Sequence, residues 1–201
     1  MDDQYKKQLI NSLINNREKY IPKEDINVIN ICLENSCSIF GGYIRDIIAG
    51  IQPRDIDVLV PTKNFYKLIK QLTNLGYYIE DCLDDIYAPT IISCEHITLK
   101  QLDLHICDEE PNDSLNYSWL VPNIDINVLA LGSGISLGKQ IVLYNWSIAR
   151  DPDLYENQSV LINEYSDILD NIIKRKMTII SEEDIDENKL EQYKLRGYHI
   201  I

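Results

Sequence analysis

The sequence predicts an α+β fold, a β-sheet with packed helices, and three observations predict it. Short apolar runs such as CSIF, DIDVLV, QLDLHIC and IVLYNW have the length and alternation of strands. Between them lie segments whose apolar residues recur at helical spacing. Gly and Pro punctuate the boundaries, at Gly41-Gly42, Gly50, Pro53, Pro61 and Gly76.

Residues 3–19 place Leu9, Ile10, Leu13 and Ile14 on one helical stripe, and Pro22 ends it. Asp25 is positioned to cap a second helix through INVINICLEN. CSIF is a short strand, Gly41-Gly42 turns the chain, and YIRDIIAG is a short helix closed by Gly50. DIDVLV is the next strand, and Pro61-Thr62 open a helix through KNFYKLIKQLTNLG. YYIE reads as a strand and CLDDIYAP as a loop. TIISCEHITL and QLDLHIC read as two strands joined around Lys100. A polar loop, DEEPNDSLNYS, follows. In IDINVLAL helix and strand compete, SGISLGK is a Gly-rich turn, and IVLYNW is a strand. Two helices close the chain, EYSDILDNIIKRKM and DENKLEQYKLRG. The expected division is N-terminal helices over 1–35, a core over 36–145 and a C-terminal helical extension over 146–201, packed on the same domain.

The chain has 201 residues, 45% hydrophobic and 25% charged, which suits one globular domain. Its net charge of -13 repels nucleic-acid phosphates, so no strong nucleic-acid surface is expected. Five cysteines, an odd number with no C-x-x-C pair, are expected to be reduced thiols. The N-terminus lacks the uninterrupted apolar core of a signal peptide, and no apolar run approaches the ~20 residues of a membrane span. The expectation is a cytoplasmic protein without a membrane partner. Abundant Ile, Asn, Lys and Tyr with Ala only at Ala49, Ala88, Ala130 and Ala149 fit an AT-rich genome, such as that of a giant DNA virus, a protist or some bacteria.

The chemistry concentrates in GGYIRDIIAGIQPRDIDVLV, residues 41–60. Alternate residues of a strand share a face, so Asp55 and Asp57 point the same way. Two neighbouring carboxylates repel unless a cation neutralises them, and carboxylate oxygens suit a hard ion such as Mg2+. Glycines let backbone N–H groups approach a phosphate, and the helix beginning near Tyr43 points its positive end at the Gly41-Gly42 turn. Arg45 adds a guanidinium fork suited to phosphate oxygens. Asp103, flanked by Leu102 and Leu104, is a costly lone carboxylate unless it has a partner, and it would complete a two-metal site if its strand lies beside DIDVLV. His105 is expected on the same face as Asp103, as a proton relay or a hydrogen-bonded strand residue.

These residues carry a resemblance. The segment is similar to the head motif of the class II DNA polymerase β-like nucleotidyltransferases, the branch of CCA-adding enzymes and bacterial poly(A) polymerases. Their pattern, Gly-Gly-x-x-Arg-Asp, a short helix, Gly, then Pro-x-Asp-x-Asp, is met by Gly41, Gly42, Arg45, Asp46, Gly50, Pro53, Asp55 and Asp57. NIDINVLALG resembles a second family segment, which places Asp125 on an Asp that contacts the nucleotide ribose. The resemblance covers roughly residues 36–132. It implies a palm-like mixed sheet with helices on one side, and transfer of a nucleoside monophosphate from an NTP to a hydroxyl, assisted by two Mg2+ or Mn2+ ions. Asp55, Asp57 and Asp103 would hold the metals, and Gly41, Gly42, Arg45, Asp46 and Asp125 the nucleotide. The acceptor would be a protein side chain, a small molecule or an RNA end.

The chain departs from the family at the nucleotide-selecting Glu-Asp-x-x-Arg motif, which no segment supplies, and the residues that remain cannot hold the helical neck, body and tail that grip tRNA. CCA addition is therefore not expected. Other readings stand beside this one. Arg45 and Asp46 can form structural salt bridges to each other's neighbours, including Arg54, and Asp125 can cap a helix. The whole domain can be a non-catalytic nucleotide-binding relative, or a toxin–antitoxin or defence component that modifies a partner.

Overall fold

The structure is a computed structural model and describes residues 4, 8, 12, 17–83, 90–107, 124, 126, 129–134, 138–143, 165–179 and 187–201. Residues 4, 8 and 12 are helical, Arg17–Lys19 form a 3-10 turn, and the rest of the first expected helix lies outside the described residues. The loop expected at 108–118 lies outside them too, as do parts of those expected at 82–89 and 133–139.

Seven strands form one sheet: β1 (Ser38–Phe40), β2 (Ile56–Pro61), β3 (Tyr78–Leu83), β4 (Ile91–Glu95), β5 (Leu102–Cys107), β6 (Leu129–Gly134) and β7 (Gly138–Leu143). Their spatial order is β3-β4-β5-β2-β1-β6-β7. β2 and β5 run parallel, and the other neighbouring pairs are antiparallel, so the sheet is mixed. β3 runs on to Leu83, past the start of the loop expected there. The ambiguous IDINVLAL resolves with Ile126 in a 3-10 turn and a strand from Leu129, which pairs with both β1 and β7.

Helices α1 (Ile26–Glu34), α2 (Gly42–Ala49) and α3 (Phe65–Asn74) cover one face of the sheet. Period-two alternation sends Ile39, Ile56, Val58, Val60, Leu102 and Leu104 to that face. There they meet Ile29 and Leu33 of α1, Ile44 and Ile47 of α2, and Leu68 and Leu72 of α3 in one core. Cys32 and Cys94 belong to the same core, and burial pushes their thiols up to about 12 and about 11, which disfavours the thiolate form. Helix α4 (Tyr165–Ile173) adds Ile168, Leu169 and Ile172 to the core and packs on α2. Helix α5 (Glu187–Leu195) follows. The C-terminal segment is not wholly helical, because β8 (Lys176–Met177) and β9 (His199–Ile200) pair in parallel as a separate short ladder. Among the described residues no helix is long and apolar enough to cross a membrane.

A carboxylate face and a buried ion-pair network

The opposite face of the sheet carries the polar residues. The parallel register of β2 and β5 sets Asp57 beside Asp103 and Leu59 beside His105, while Val58 and Leu104 turn to the core. The strand adjacency on which a shared Asp57–Asp103 site depends is therefore present. Asp55 stands one residue before β2 and is half-buried.

Asp103 is held in place by two donors, Ser93 Oγ at 2.7 Å from the antiparallel neighbour β4 and Gln101 Nε2 at 2.9 Å. Both bonds end on Oδ1, so neither engages Oδ2. Asp57 reaches His105, with Oδ1 3.5 Å from Nε2. That nitrogen is buried without a hydrogen-bond partner. The imidazole also meets the edge of Phe40, its ring 5.0 Å away at 76°.

The carboxylates act on one another. Burial is the main cause that raises the Asp55 carboxyl above its usual range, followed by repulsion from Asp57, and Asp103 adds to it while Arg54 opposes it. Gly41 sits at the edge of this group, at the N-cap of α2 with φ +65° and ψ -131°. A Cβ there would lie 3.4 Å from Asp57 Oδ2, so the Gly-Gly turn and the Asp57 carboxylate lie within contact distance. The positive φ favours glycine, and the end of α2 that bears unpaired N–H groups opens here.

Arg45 and Asp46 are placed differently from the nucleotide-binding expectation. Both are buried, at 3% and 1% exposure. Arg45 donates to Asp46 Oδ1 from Nε at 2.7 Å and from Nη2 at 2.6 Å. Its guanidinium lies 4.9 Å from the Tyr193 ring centre and 5.3 Å from that of Tyr198. Asp46 Oδ2 takes a further ion pair from Arg196. Burial opposes the Arg45 charge, but Asp46 and the two tyrosines outweigh it and raise its pKa. A structural role was open to both residues, but the partners differ from the expected ones: Asp46 pairs with Arg45 itself and with Arg196, while Arg54 donates to Gln192 Oε1 at 3.0 Å. Arg196, Tyr193 and Tyr198 carry no local signal of this role, since Asp46 and Arg196 are 150 positions apart.

Asp25 shows the same pattern. It precedes α1 as expected, but its side chain makes no cap bond. It accepts instead from Tyr43 Oη at 2.9 Å and from Lys100 Nζ at 3.0 and 2.7 Å. Asp125, expected at the ribose, lies outside the described residues.

The donor set fits a hard divalent ion, with carboxylates from two strand positions and a flanking one, and an orphaned ring nitrogen beside them. Among the described residues no three His, Cys, Asp or Glu side chains close into a ready-made cage. Ions of the Mg2+ type are commonly held by one or two carboxylates plus substrate phosphates, which is the share these residues can supply.

The fold has known counterparts. A CCA-adding enzyme in complex with CTP superposes with a TM-score of 0.59 at 12% identity, over 96% of this chain and 43% of that one. The Thermotoga maritima CCA-adding enzyme in complex with tRNA gives 0.57 at 11% identity, over 96% and 42%. An apo CCA-adding enzyme gives 0.58 at 10% identity, over 91% and 41%. The chain thus has the nucleotidyltransferase fold and spans about two fifths of the length of these enzymes. No protein-family model and no curated protein sequence matches it.

Proposed function

We propose that the protein transfers a nucleoside monophosphate from an NTP to a hydroxyl acceptor, with release of pyrophosphate, on the carboxylate face of the sheet. The observation that carries this reading is the parallel register that pairs Asp57 with Asp103 beside the Gly41 turn. Asp55, Asp57 and Asp103 would hold divalent ions, Mg2+ or Mn2+, whose chemistry is to neutralise phosphate charge and to lower the pKa of the acceptor hydroxyl.

The chain's own residues supply the rest. Backbone N–H groups at Gly41-Gly42 and the start of α2 bind the triphosphate. The acceptor oxygen forms a bond to the α-phosphorus, the bond to the bridging oxygen of pyrophosphate breaks, and pyrophosphate leaves with the electron pair. Asp103 accepts from Ser93 and Gln101 through Oδ1, which leaves Oδ2 for an ion that orients the acceptor hydroxyl, and the acceptor proton, made acidic there, passes to solvent. Asp125 contacts the ribose in this reading. An acidic chain favours a protein or small-molecule acceptor, yet the T. maritima enzyme, similar in fold over 42% of its length, is in complex with tRNA, so an RNA end stays among the acceptors to test.

Calorimetric titration of each NTP with Mg2+ tests the site. Binding is expected in the wild type and lost in the double variant Asp55→Asn/Asp57→Asn. Undiminished binding in the double variant refutes the reading. A second reading, nucleotide binding without transfer, is favoured by the commitment of Arg45 to Asp46 and to two tyrosines. NTP binding with no pyrophosphate released across protein, small-molecule and RNA acceptors would select it.

A further inference from the structure

Among the described residues of the carboxylate face, His105 is a group that the proposed chemistry does not use. Its Nε2 is buried and has no hydrogen-bond partner. Its nearest charged neighbour is Asp57 Oδ1 at 3.5 Å, beyond ordinary hydrogen-bond length. The Phe40 ring lies 5.0 Å from the imidazole at 76°, and β5 runs between β4 and β2. A buried, unbonded ring nitrogen beside a carboxylate oxygen is an arrangement with a missing third member.

A cation between them supplies that member. Two adjacent ligands in an octahedral shell, each about 2.1 Å from the ion, stand about 3 Å apart. The observed separation of 3.5 Å is close to that span. We propose that His105 Nε2 is a ligand, together with Asp57, of the divalent ion on this face, so that the site prefers a first-row transition ion of the Mn2+ type to Mg2+. The inference rests on the reading of Asp57 as a metal ligand. The chemistry sets the preference: oxygen donors accept Mg2+ and Mn2+ alike, whereas imidazole nitrogen favours the transition ions. Asp103, held by Ser93 and Gln101, keeps an oxygen for the same ion or a second one.

Mn2+ is the probe, and electron spin resonance reads it without any turnover. The protein is titrated with Mn2+, alone and with a non-hydrolysable NTP analogue. The bound ion is then examined for hyperfine coupling to a directly bonded 14N nucleus. The wild type is expected to show one imidazole coupling, which His105→Gln abolishes. The ratio of Mn2+ to Mg2+ affinity should fall by at least about tenfold in His105→Gln, since loss of even an outer partner of a ligand costs that much. The wild-type spectrum is decisive by itself, so a variant that fails to fold does not spoil the test. Mn2+ bound in a manner that depends on Asp57 but without nitrogen coupling overturns the His105 assignment and leaves the carboxylate site standing. Mn2+ binding indifferent to Asp57→Asn, or no binding at all, overturns both.

Discussion

Asp25 and Asp46 lie in the helical layer, each 1% exposed, and each has its cation brought from a distant part of the chain. Asp57 and Asp103 lie on the other face, partly exposed, with a histidine, a serine and a glutamine for company. The two groups differ in what completes them. A carboxylate that is buried against Lys100, or against Arg45 and Arg196, is neutralised by the fold and contributes to holding it. Carboxylates aligned on adjacent strands without a Lys or Arg bridge between them, as far as the described residues show, carry a repulsion that the fold leaves in place. The first arrangement serves structure, and the second leaves room for a ligand of opposite charge.

Replacing one member of each group gives the largest contrast. Asp46→Ala leaves the Arg45 guanidinium buried without its main counter-charge, and loss of one partner of a buried pair costs about 3–5 kcal/mol. Asp57→Asn removes a repelling charge from a partly exposed position and is expected to leave stability unchanged or slightly raised. Urea unfolding of both variants measures this, with the Asp46→Ala midpoint expected far below wild type at an unchanged slope. Equal losses in the two variants would show that the two carboxylate groups do not differ as described.

A smaller effect sharpens the same contrast through pH. The Asp55 pKa is raised in the folded state, first by burial and then by Asp57 and Asp103. Between the unfolded value near 3.8 and the higher folded one, the native state holds more protons than the unfolded state, so this group's stability contribution is lost as pH rises through that window. The penalty persists at neutral pH. Asp55→Asn should therefore become more stable than wild type as pH increases, and the gap should narrow when Mn2+ or Mg2+ is added. A gap that widens toward acid would reverse the assigned direction.

How far the sequence revealed this division depends on distance along the chain. The strand runs, the Gly-Gly turn and the short helix after it are local patterns, and β1, α2 and β2 appear where those patterns place them. Asp55, Asp57 and Asp103 stood out because a carboxylate in an apolar run needs a reason. Which strand lies beside β2 is a matter of tertiary pairing, and no local feature of QLDLHIC announces the parallel register. The cations of the buried group were hidden for the same reason. Asp25 reads as a helix cap until Lys100, 75 positions away, takes its carboxylate. Arg45 reads as a phosphate ligand until Tyr193, Tyr198 and Arg196 enclose it and Asp46. The β8–β9 ladder, two residues per strand, is too short to show any periodicity.

The smallest expected effect comes from the helix that leads to Arg196. On α5, Lys194 and Glu191 form an ion pair at 3.6 Å, three positions apart, with side chains 55% and 62% exposed. One turn of chain later, Arg196 reaches Asp46 with side chains 16% and 2% exposed. Both are Coulombic contacts between unit charges, so charge alone gives no reason to rank them. Solvent does: water and salt screen the exposed pair, and holding two long side chains in one geometry uses up most of what remains. Glu191→Ala is expected to cost at most about 0.5 kcal/mol and to lose even that in high salt. Arg196→Ala should cost several times more and respond weakly to salt, because Asp46 stays buried with one of its two cations gone. Urea midpoints of the two variants at low and high salt decide the matter. If the exposed pair proves as costly to break as the buried one, burial is not what separates structural carboxylates from those left open to a ligand.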